Sequence, residues 1–436
     1  MIGLHVTTLG CKLNQFDTAE LAGSLRGAAR PVADPSSARL IVINTCTVTA
    51  AADAEARRLV RRRRRESPGA LIVATGCYAE RDPEALRALP EVDLVLGRGD
   101  RPAAAGILIE ELRRRFPAEL ADGCAQRGLE ERLPDFGDRS RAFLRVQEGC
   151  DLVCTYCVIP AVRGPSVSVP PDGVEAAFRR LIAAGYREVV LTGVNTGDYG
   201  RDLAPSCDLP ALLDRLTRVQ GDFRIRLNSV EPRRVTPELV ERLASEPKLA
   251  RHLQVPLQSG SDAVLRAMRR NYRVRDYLLA LDRLHRRVPG IGLGADVIVG
   301  FPGEDGEAFE ATLRAVEASP LSYLHVFPWS ERPGTAAASL PGRVHPEEAR
   351  RRGEALRAVG ELRSLAFRRG QVGLPQRALT LKGRRGGGAT RAVTSNFIDV
   401  TVEGEFPENR FLDVVIREVS GSINRAAPLD ERAPAG

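Results

Sequence analysis

The sequence has no long apolar run, and it is poor in histidine and in aromatic residues. A membrane-spanning helix needs roughly 18 consecutive apolar residues, and no stretch of this chain approaches that length. Its 436 residues include only five histidines, which are scattered, and aromatic side chains make up only 5% of the chain. The first absence excludes a helical membrane protein, and the second leaves no histidine grouping on which acid–base catalysis could be built.

The N-terminus is expected to begin directly in a strand, with no basic leader and therefore no signal peptide. We expect a cytoplasmic protein without a membrane partner. Thiols stay reduced in the cytoplasm. The eight cysteines then predict metal binding or redox chemistry rather than a disulfide framework. Cys124 and Cys207 stand apart from the other six and are expected to be incidental thiols.

The chain carries a formal charge of +8 and has a pI near 9.3. Such a balance favours a polyanionic partner, with nucleic acid the first candidate. The densest basic run, RRLVRRRRRES at residues 57–67, is interpreted either as a phosphate-binding face or as a solvated helix surface.

Three predicted strands each end at a cysteine. Their sequences are LHVTTLGC (4–11), LIVINTC (40–46) and LIVATGC (71–77). Helical stretches follow them, which predicts an open, mostly parallel α/β sheet within residues 1–130. Because ligands bind at the carboxyl edge of such sheets, we expect Cys11, Cys46 and Cys77 to converge. The alternative is that these thiols merely fill the core.

A second unit is predicted over residues 136–370. Its six candidate strands, each followed by a helix, are residues 142–149, 188–193, 224–229, 251–256, 293–300 and 321–328. This pattern predicts a partial (βα)6 barrel, whose chemistry lies at the carboxyl ends of the strands. Residues 371–436 change to short β runs, which predict a small C-terminal β barrel able to hold RNA.

The most specific local motif is CDLVCTYC, which places Cys150, Cys154 and Cys157 directly after the first barrel strand. A closed 4Fe–4S cluster takes four cysteines, so three at this spacing leave one iron open to a small molecule. Zinc is the competing metal, but a structural zinc site requires four ligands. No fourth cysteine or histidine follows at a suitable interval, since the next histidine is His252.

These motifs resemble the radical S-adenosylmethionine methylthiotransferases. The spacing C-x3-C-x2-C with an aromatic before the last cysteine, found here in the second triad (Cys150, Cys154 and Cys157), is typical of the wider superfamily. The first triad (Cys11, Cys46 and Cys77) narrows the resemblance. The segments TLGCKLNQ, CTYCVIP, RIRLNSVEP, VPLQSGS and GADVIVGFPGE are most similar to the MtaB type. The resemblance covers essentially the whole chain and implies a TRAM-like fold for the C-terminal barrel.

The resemblance implies two 4Fe–4S clusters, one on each cysteine triad. One S-adenosylmethionine would supply a methyl group for the sulfur on the N-terminal cluster, and a second would give the radical. The implied reaction adds a methylthio group to carbon 2 of N6-threonylcarbamoyladenosine at position 37, in the anticodon loop of tRNA. It also implies an electron donor such as flavodoxin or ferredoxin, and a sulfur source.

Further residues are predicted to contact S-adenosylmethionine. Tyr156 is expected to lie against the adenine. The others fall at the ends of barrel strands, where they could instead form an ordinary βα turn or seal the barrel: Gly193, Asn195, Arg226, Glu231, Gln258 and Glu304.

Two kinds of alternative remain at this point. The same chemistry could act on isopentenyladenosine in tRNA or on an aspartate of a ribosomal protein, although CKLNQ and NSVEP argue against both by resemblance. A different class is a non-catalytic nucleic-acid-binding protein whose cysteines hold a structural metal. Net charge and the C-terminal barrel would satisfy that class equally well.

Overall fold

The computed structural model describes residues 1–120, 134–137, 139–383 and 388–429. Contacts divide the chain into two compact units. The first comprises Met1–Gly137, Glu148–Ser166 and Ser330–Ala338, and the second comprises Asp138–Gln147, Val167–Trp329 and Ser339–Gly436. Cys124 lies outside the described residues, and the three-domain boundaries at 1–130, 136–370 and 371–436 stay a prediction.

The first unit is built on a five-stranded parallel sheet with the order β2-β1-β3-β4-β5. The strands are β1 (Ile2–Thr8), β2 (Ala29–Pro31), β3 (Leu40–Thr45), β4 (Leu71–Gly76) and β5 (Leu94–Leu96). The helices are α1 (Lys12–Ser24), α2 (Ala50–Glu66), α3 (Cys77–Arg81), α4 (Pro83–Arg87), α5 (Ala104–Arg115) and α6 (Ile159–Arg163).

The central strand β3 is buried at every position, as expected for a parallel strand covered on both faces. Its side chains alternate between two apolar cores. Leu40 and Val42 pack with β1 and α5, whereas Ile41 and Ile43 pack with α2. The strand β2 has no counterpart among the sequence predictions, because three residues ending in proline carry no alternation to detect.

The second unit begins with six parallel strands in two three-stranded sheets, which have the orders β6-β9-β10 and β11-β12-β13. These strands are β6 (Arg141–Arg145), β9 (Glu188–Thr192), β10 (Arg224–Leu227), β11 (His252–Gln254), β12 (Gly292–Val299) and β13 (Tyr323–Pro328). Single bridges between Ile225 and Leu249 and between Ser229 and Gln254 connect the two sheets. The order confirms the predicted open six-strand barrel.

Helices alternate with these strands and cover them. They are α7 (Pro171–Ala183), α8 (Leu209–Thr217), α9 (Pro237–Ser245), α10 (Asp262–Ala267), α11 (Val274–Arg287), α12 (Gly306–Ala318) and α13 (Pro346–Arg369). Several begin at a side-chain cap that satisfies the first free N–H groups, such as Asp208 before α8 and Asp305 before α12. Two-residue strands, β7 (Gln147–Glu148) and β8 (Val167–Ser168), complete the central region.

The C-terminal strands close into a barrel with the order β14-β15-β16-β18-β17. They are β14 (Pro375–Thr380), β15 (Ala389–Thr394), β16 (Asp399–Glu403), β17 (Phe411–Ser420) and β18 (Ile423–Pro428). Small and branched residues such as Ala378, Val402 and Ile416 fill its interior. The predicted β barrel is therefore confirmed as a fold. Within the described residues, none of the helices has the length and apolarity that crossing a bilayer requires.

Candidate functional site

The three N-terminal cysteines all lie at the carboxyl edge of the first sheet. Cys11 is the N-cap of α1, Cys46 directly follows β3, and Cys77 is the first residue of α3. Cys11 is exposed, Cys46 is half-buried and Cys77 is buried. The structure thus places all three cysteines at the sheet edge where the strand pattern predicted them.

Asn14 lies beside two of these cysteines. Its Oδ1 lies 3.9 Å from the Cys11 Sγ and 3.7 Å from the Cys77 Sγ. Its Nδ2 donates to the carbonyl oxygens of Leu9, at 2.9 Å, and Thr45, at 3.0 Å. The fully buried Asn14 amide therefore fastens the ends of β1 and β3 beside the thiols.

Two glycines allow the cysteine loops to approach closely, and both have φ +93°. A methyl group at Gly10 would lie 2.8 Å from the Cys46 Cβ. One at Gly76 would lie 2.2 Å from the Asn44 Oδ1. Because an L side chain strains this backbone region and would also collide, glycine at both positions is required by the convergence of the three loops.

The second triad occupies one short loop. Cys150, Cys154 and Cys157 are each half-buried. The backbone N–H of Leu152 points to the Cys150 Sγ at 3.4 Å, and that of Ile159 points to the Cys157 Sγ at 3.4 Å. Backbone donors aimed at sulfur stabilise thiolate ligands and tune the potential of iron–sulfur clusters.

A cavity of about 480 Å³ opens over this loop. All three cysteines line it, together with residues of the 330–338 segment. The loop and that segment are joined by a hydrogen bond from the Ala337 N–H to the Thr155 carbonyl, at 2.8 Å. Tyr156 sits between two of the cysteines but is not among the lining residues, so its predicted contact with adenine stays a prediction.

The loop closes on itself at its ends. The Cys150 N–H donates to the Gly164 carbonyl oxygen at 3.1 Å. Gly149 has φ +71°, and a methyl group there would lie only 1.8 Å from the Pro165 carbonyl oxygen. The glycine before the first cysteine is thus required by the close return of the chain.

Arg163 connects the segment of the second triad to the first triad within the same compact unit. It follows Cys157 by six residues and is 1% exposed. Its Nη2 donates to the Asn14 Oδ1 at 2.6 Å and to the Asp17 carboxylate at 2.9 Å. Its Nη1 donates to Glu148 at 2.9 Å. The helices that carry Cys77 and Arg163, α3 and α6, also pack together.

Burial raises the pKa of two thiols of the first triad. It raises the pKa of Cys46 to about 11, because the charged thiolate is poorly solvated and the other two cysteines lie nearby. Burial likewise raises the pKa of Cys77, and Arg163 opposes this shift. Metal binding deprotonates cysteine, so a cation beside Cys77 suits a thiolate ligand.

Both triads fit an iron–sulfur cluster by the chemistry of their donors. Each offers three thiols and either backbone N–H groups or a buried cation to stabilise thiolate charge. For the parts of the chain that the structure describes, no three His, Cys, Asp or Glu side chains converge closely enough to bind one metal ion.

Gly193 and Asn195 follow β9 in the second unit. A methyl group at Gly193 would lie 2.8 Å from the Gln147 Oε1, which also accepts from the Asn195 N–H at 2.9 Å. The Asn195 Nδ2 donates to Asp198 at 2.5 Å, while its buried Oδ1 has no hydrogen-bond partner among the residues that the structure describes. Close packing on Gln147 therefore accounts for the glycine, and the Asn195 oxygen remains available for a donor.

Arg226 lies in β10 and is fully engaged inside the second unit. Its Nε and Nη2 donate to Glu188 at 2.9 and 3.0 Å, and its Nη1 donates to the Ser395 carbonyl at 3.0 Å. Because all three guanidinium nitrogens are used, these contacts favour a structural role over the predicted contact with S-adenosylmethionine.

The remaining predicted residues differ in how many of their polar atoms are already used in contacts within the chain. Glu231 forms a close ion pair with Arg270, and burial raises its pKa despite that cation. Glu304 accepts from the Gly300 N–H at 2.9 Å and from Arg352 at 2.7 Å, which occupies one oxygen. Gln258 has φ +63°, a strained conformation that clusters at functional sites.

Sequence reasoning missed Asn14, Arg163 and Arg332 as members of the site. Asn14 lies within TLGCKLNQ and Arg163 ends the segment that begins CTYCVIP. Their positions in those motifs were the available signal. Arg332 had none, because its partners lie more than 270 residues away.

Two family models match the chain. The Radical SAM superfamily matches residues 144–316, and the uncharacterized protein family UPF0004 matches residues 3–97. The first spans the second triad and most of the six-strand barrel. The second spans the sheet that carries the first triad.

The threonylcarbamoyladenosine tRNA methylthiotransferase MtaB of Thermotoga maritima is 33% identical over 99% of both chains. The protein of the same name from Bacillus subtilis is 40% identical over 77% of this chain and 75% of its own. This chain belongs to the radical S-adenosylmethionine tRNA methylthiotransferases of the MtaB type. The tRNA-2-methylthio-N(6)-dimethylallyladenosine synthase of Leifsonia xyli is 36% identical over 83% of this chain and 68% of its own.

The fold of this methylthiotransferase is also that of solved radical S-adenosylmethionine enzymes. The methyltransferase TsrM from Kitasatospora setae, solved with cobalamin and a [4Fe-4S] cluster bound, has a TM-score of 0.56 and 17% identity, and the match covers 77% of each chain. At this identity the likeness shows the fold alone. Superfamily membership implies a 4Fe–4S cluster and S-adenosylmethionine.

Proposed function

We propose that this enzyme adds a methylthio group to carbon 2 of N6-threonylcarbamoyladenosine at position 37 of tRNA. It would use two 4Fe–4S clusters, held by Cys11, Cys46 and Cys77 and by Cys150, Cys154 and Cys157. The observation that carries the proposal is the presence, in one compact unit, of two sets of three thiols. Each set is one ligand short of a closed cluster.

The reaction replaces the C2–H bond of the adenine with a C2–S bond. The hydrogen leaves in 5′-deoxyadenosine, formed from one S-adenosylmethionine, and the methyl group comes from a second. A reductant such as flavodoxin or ferredoxin supplies the electrons, and an external source replaces the sulfur. When bound, the clusters would supply reductive cleavage of S-adenosylmethionine at one set and an iron that holds sulfur at the other.

The chain's own residues hold and orient these groups. The Leu152 and Ile159 N–H groups stabilise thiolate charge on Cys150 and Cys157, and Arg163 does so beside Cys77. The cavity over the second triad admits a small molecule. Gly193, Asn195, Glu231 and Gln258 remain proposed contacts of S-adenosylmethionine. The Asn195 Oδ1, for which the described part of the chain offers no hydrogen-bond donor, is suited to a ligand amine or hydroxyl.

The threonylcarbamoyl substrate is favoured by similarity to two enzymes named for it, one of which matches over 99% of both chains. The dimethylallyl substrate is the competitor, since an enzyme named for it is 36% identical. The C-terminal barrel is proposed to bind the tRNA, as small β barrels bind single-stranded nucleic acid.

The test is a reaction of the reconstituted enzyme with two tRNAs that differ only at position 37. One carries N6-threonylcarbamoyladenosine and the other carries isopentenyladenosine. Mass spectrometry of the digested nucleosides should show a methylthio product from the first tRNA. Product from the second tRNA alone would assign the enzyme to the competing substrate.

A further inference from the structure

Two buried arginines reach the sheet edge of the first triad from outside the N-terminal chain. Arg163 belongs to the segment of the second triad, and Arg332 belongs to the 330–338 segment that helps line the cavity. Both lie within the first compact unit. Their side chains are 1% and 2% exposed, which is rare for arginine.

Arg163 forms its hydrogen bonds on the side of the site where Cys11 and Cys77 lie. Its acceptors there are Asn14, whose Oδ1 faces both thiols, and Asp17. The same guanidinium opposes the rise in the pKa of Cys77 that burial causes. One planar cation therefore fixes the first turn of α1 and the start of α3 together.

Arg332 forms its hydrogen bonds on the side of the site where Cys46 lies. Its Nη2 donates to the Thr47 Oγ1 at 2.8 Å and to the Asp53 carboxylate at 2.6 Å. Thr47 directly follows Cys46 and also donates to Asp53 at 2.6 Å. Close by, the Ser330 hydroxyl accepts from the Ala50 N–H at 3.0 Å.

Breaking a buried ion pair of this kind is costly, because the loss of one partner leaves an uncompensated charge in the interior. Two segments line the cavity over the second triad, and each carries one arginine. Arg163 and Arg332 each form a buried ion pair, called a lock below, with a carboxylate near the first triad.

We propose that Arg163 and Arg332 are positioning residues that couple the two cysteine triads. The inference rests on the proposed function, since it assigns the arginines to the step in which both triads act on one nucleotide. Without either lock, S-adenosylmethionine is still cleaved at the second triad, but the radical is no longer spent on methylthiolation.

The test compares Arg163→Gln and Arg332→Gln with matched controls. Arg101→Gln removes a cation from the same Asp17 and Glu148 carboxylates, and Arg81→Gln removes one from the same Thr47 and Asp53. The quantity measured is 5′-deoxyadenosine formed per methylthio nucleoside. We expect this ratio to rise at least about tenfold in the first two variants, to stay within about twofold in the controls, and to recover partly in Arg163→Lys.

A second measurement uses the metal-free protein. Iodoacetamide labelling followed by mass spectrometry should show faster alkylation of Cys46 in Arg332→Gln than in either control, because the loop that begins at Cys46 loses its buried anchor. A ratio that stays unchanged in the glutamine variants would overturn the proposal. This includes the case in which cleavage and product fall in parallel with no change in labelling. The ratio is measured on whichever tRNA the wild type modifies, so an error in the proposed substrate leaves this test intact.

Discussion

The two cysteine triads reach similar thiol sets by opposite routes. The second is local: eight residues of one loop hold all three thiols, and backbone N–H groups only two positions away approach two of the sulfurs. The first is assembled from three loops up to 66 residues apart, and a buried amide and a buried arginine hold it. Local spacing therefore defines one site, and sheet topology defines the other.

Losing a thiol from the local loop should have the largest effect. Cys150→Ala leaves two ligands for the cluster proposed there, so reductive cleavage of S-adenosylmethionine should be abolished. Anaerobic assay of 5′-deoxyadenosine measures this loss. Cys207→Ala, a half-buried free thiol outside both triads, is the control and should cleave at the wild-type rate. Retained cleavage in Cys150→Ala would remove the loop from the mechanism.

Replacing a cysteine of the first triad by alanine should separate cleavage of S-adenosylmethionine from methylthiolation. Cys46→Ala should keep cleavage within a few-fold of wild type, because the N–H donors of the second loop do not depend on it, yet it should yield no methylthio nucleoside. Both products are measured in one reaction. A fully active Cys46→Ala enzyme would contradict the second cluster.

Backbone strain offers a finer test of the local loop. Gly149→Ala places a methyl group 1.8 Å from the Pro165 carbonyl oxygen, whereas Gly185→Ala meets nothing within 4 Å. Both glycines have positive φ, +71° and +93°, so each substitution costs about 1–2 kcal/mol of backbone strain. Denaturant unfolding should show a larger loss for Gly149→Ala, and equal losses would contradict the close return of the loop.

The smallest effect concerns pH in the metal-free protein. Burial holds the pKa of Cys46 at about 11, so the protonated thiol dominates below that pH and alkylation stays slow. The labelling rate of Cys46 should rise about tenfold per pH unit up to about pH 11, whereas that of an ordinary thiol levels off near pH 9. A plateau near pH 9 would show that Cys46 is not shielded as described.

The sequence specified much of this architecture because its signals are periodic or local. Apolar runs ending in cysteine predicted the sheet edge, and six βα repeats predicted the barrel. The site's supporting residues were harder to predict, because the partners of Arg163 beside the first triad lie 146 and 149 residues away and those of Arg332 lie 279 and 285 away. The contacts of Arg226 were hard to predict for the same reason, since its partner Ser395 in the C-terminal barrel is equally remote in sequence.

The basic run on α2 shows that arginines which suggest nucleic-acid binding in the sequence can be used in contacts within the fold. Within the chain, Arg58 pairs with Glu55, Arg62 and Arg63 pair with Glu66, and Arg64 pairs with Asp93. Arg57 donates to the Tyr78 hydroxyl at 2.7 Å. Most of the run therefore stabilises its own helix and the neighbouring sheet, which favours the interpretation of a solvated helix surface over a phosphate-binding face.

The count of iron per chain tests the central claim most directly. Anaerobically reconstituted wild type should hold about eight irons and eight sulfides, and replacing either whole triad by alanine should leave about four of each. The two variants should carry the same number of irons but differ in activity, with only the variant that retains Cys150, Cys154 and Cys157 cleaving S-adenosylmethionine. About four irons in wild type, unchanged when Cys11, Cys46 and Cys77 are replaced, would contradict a second cluster site.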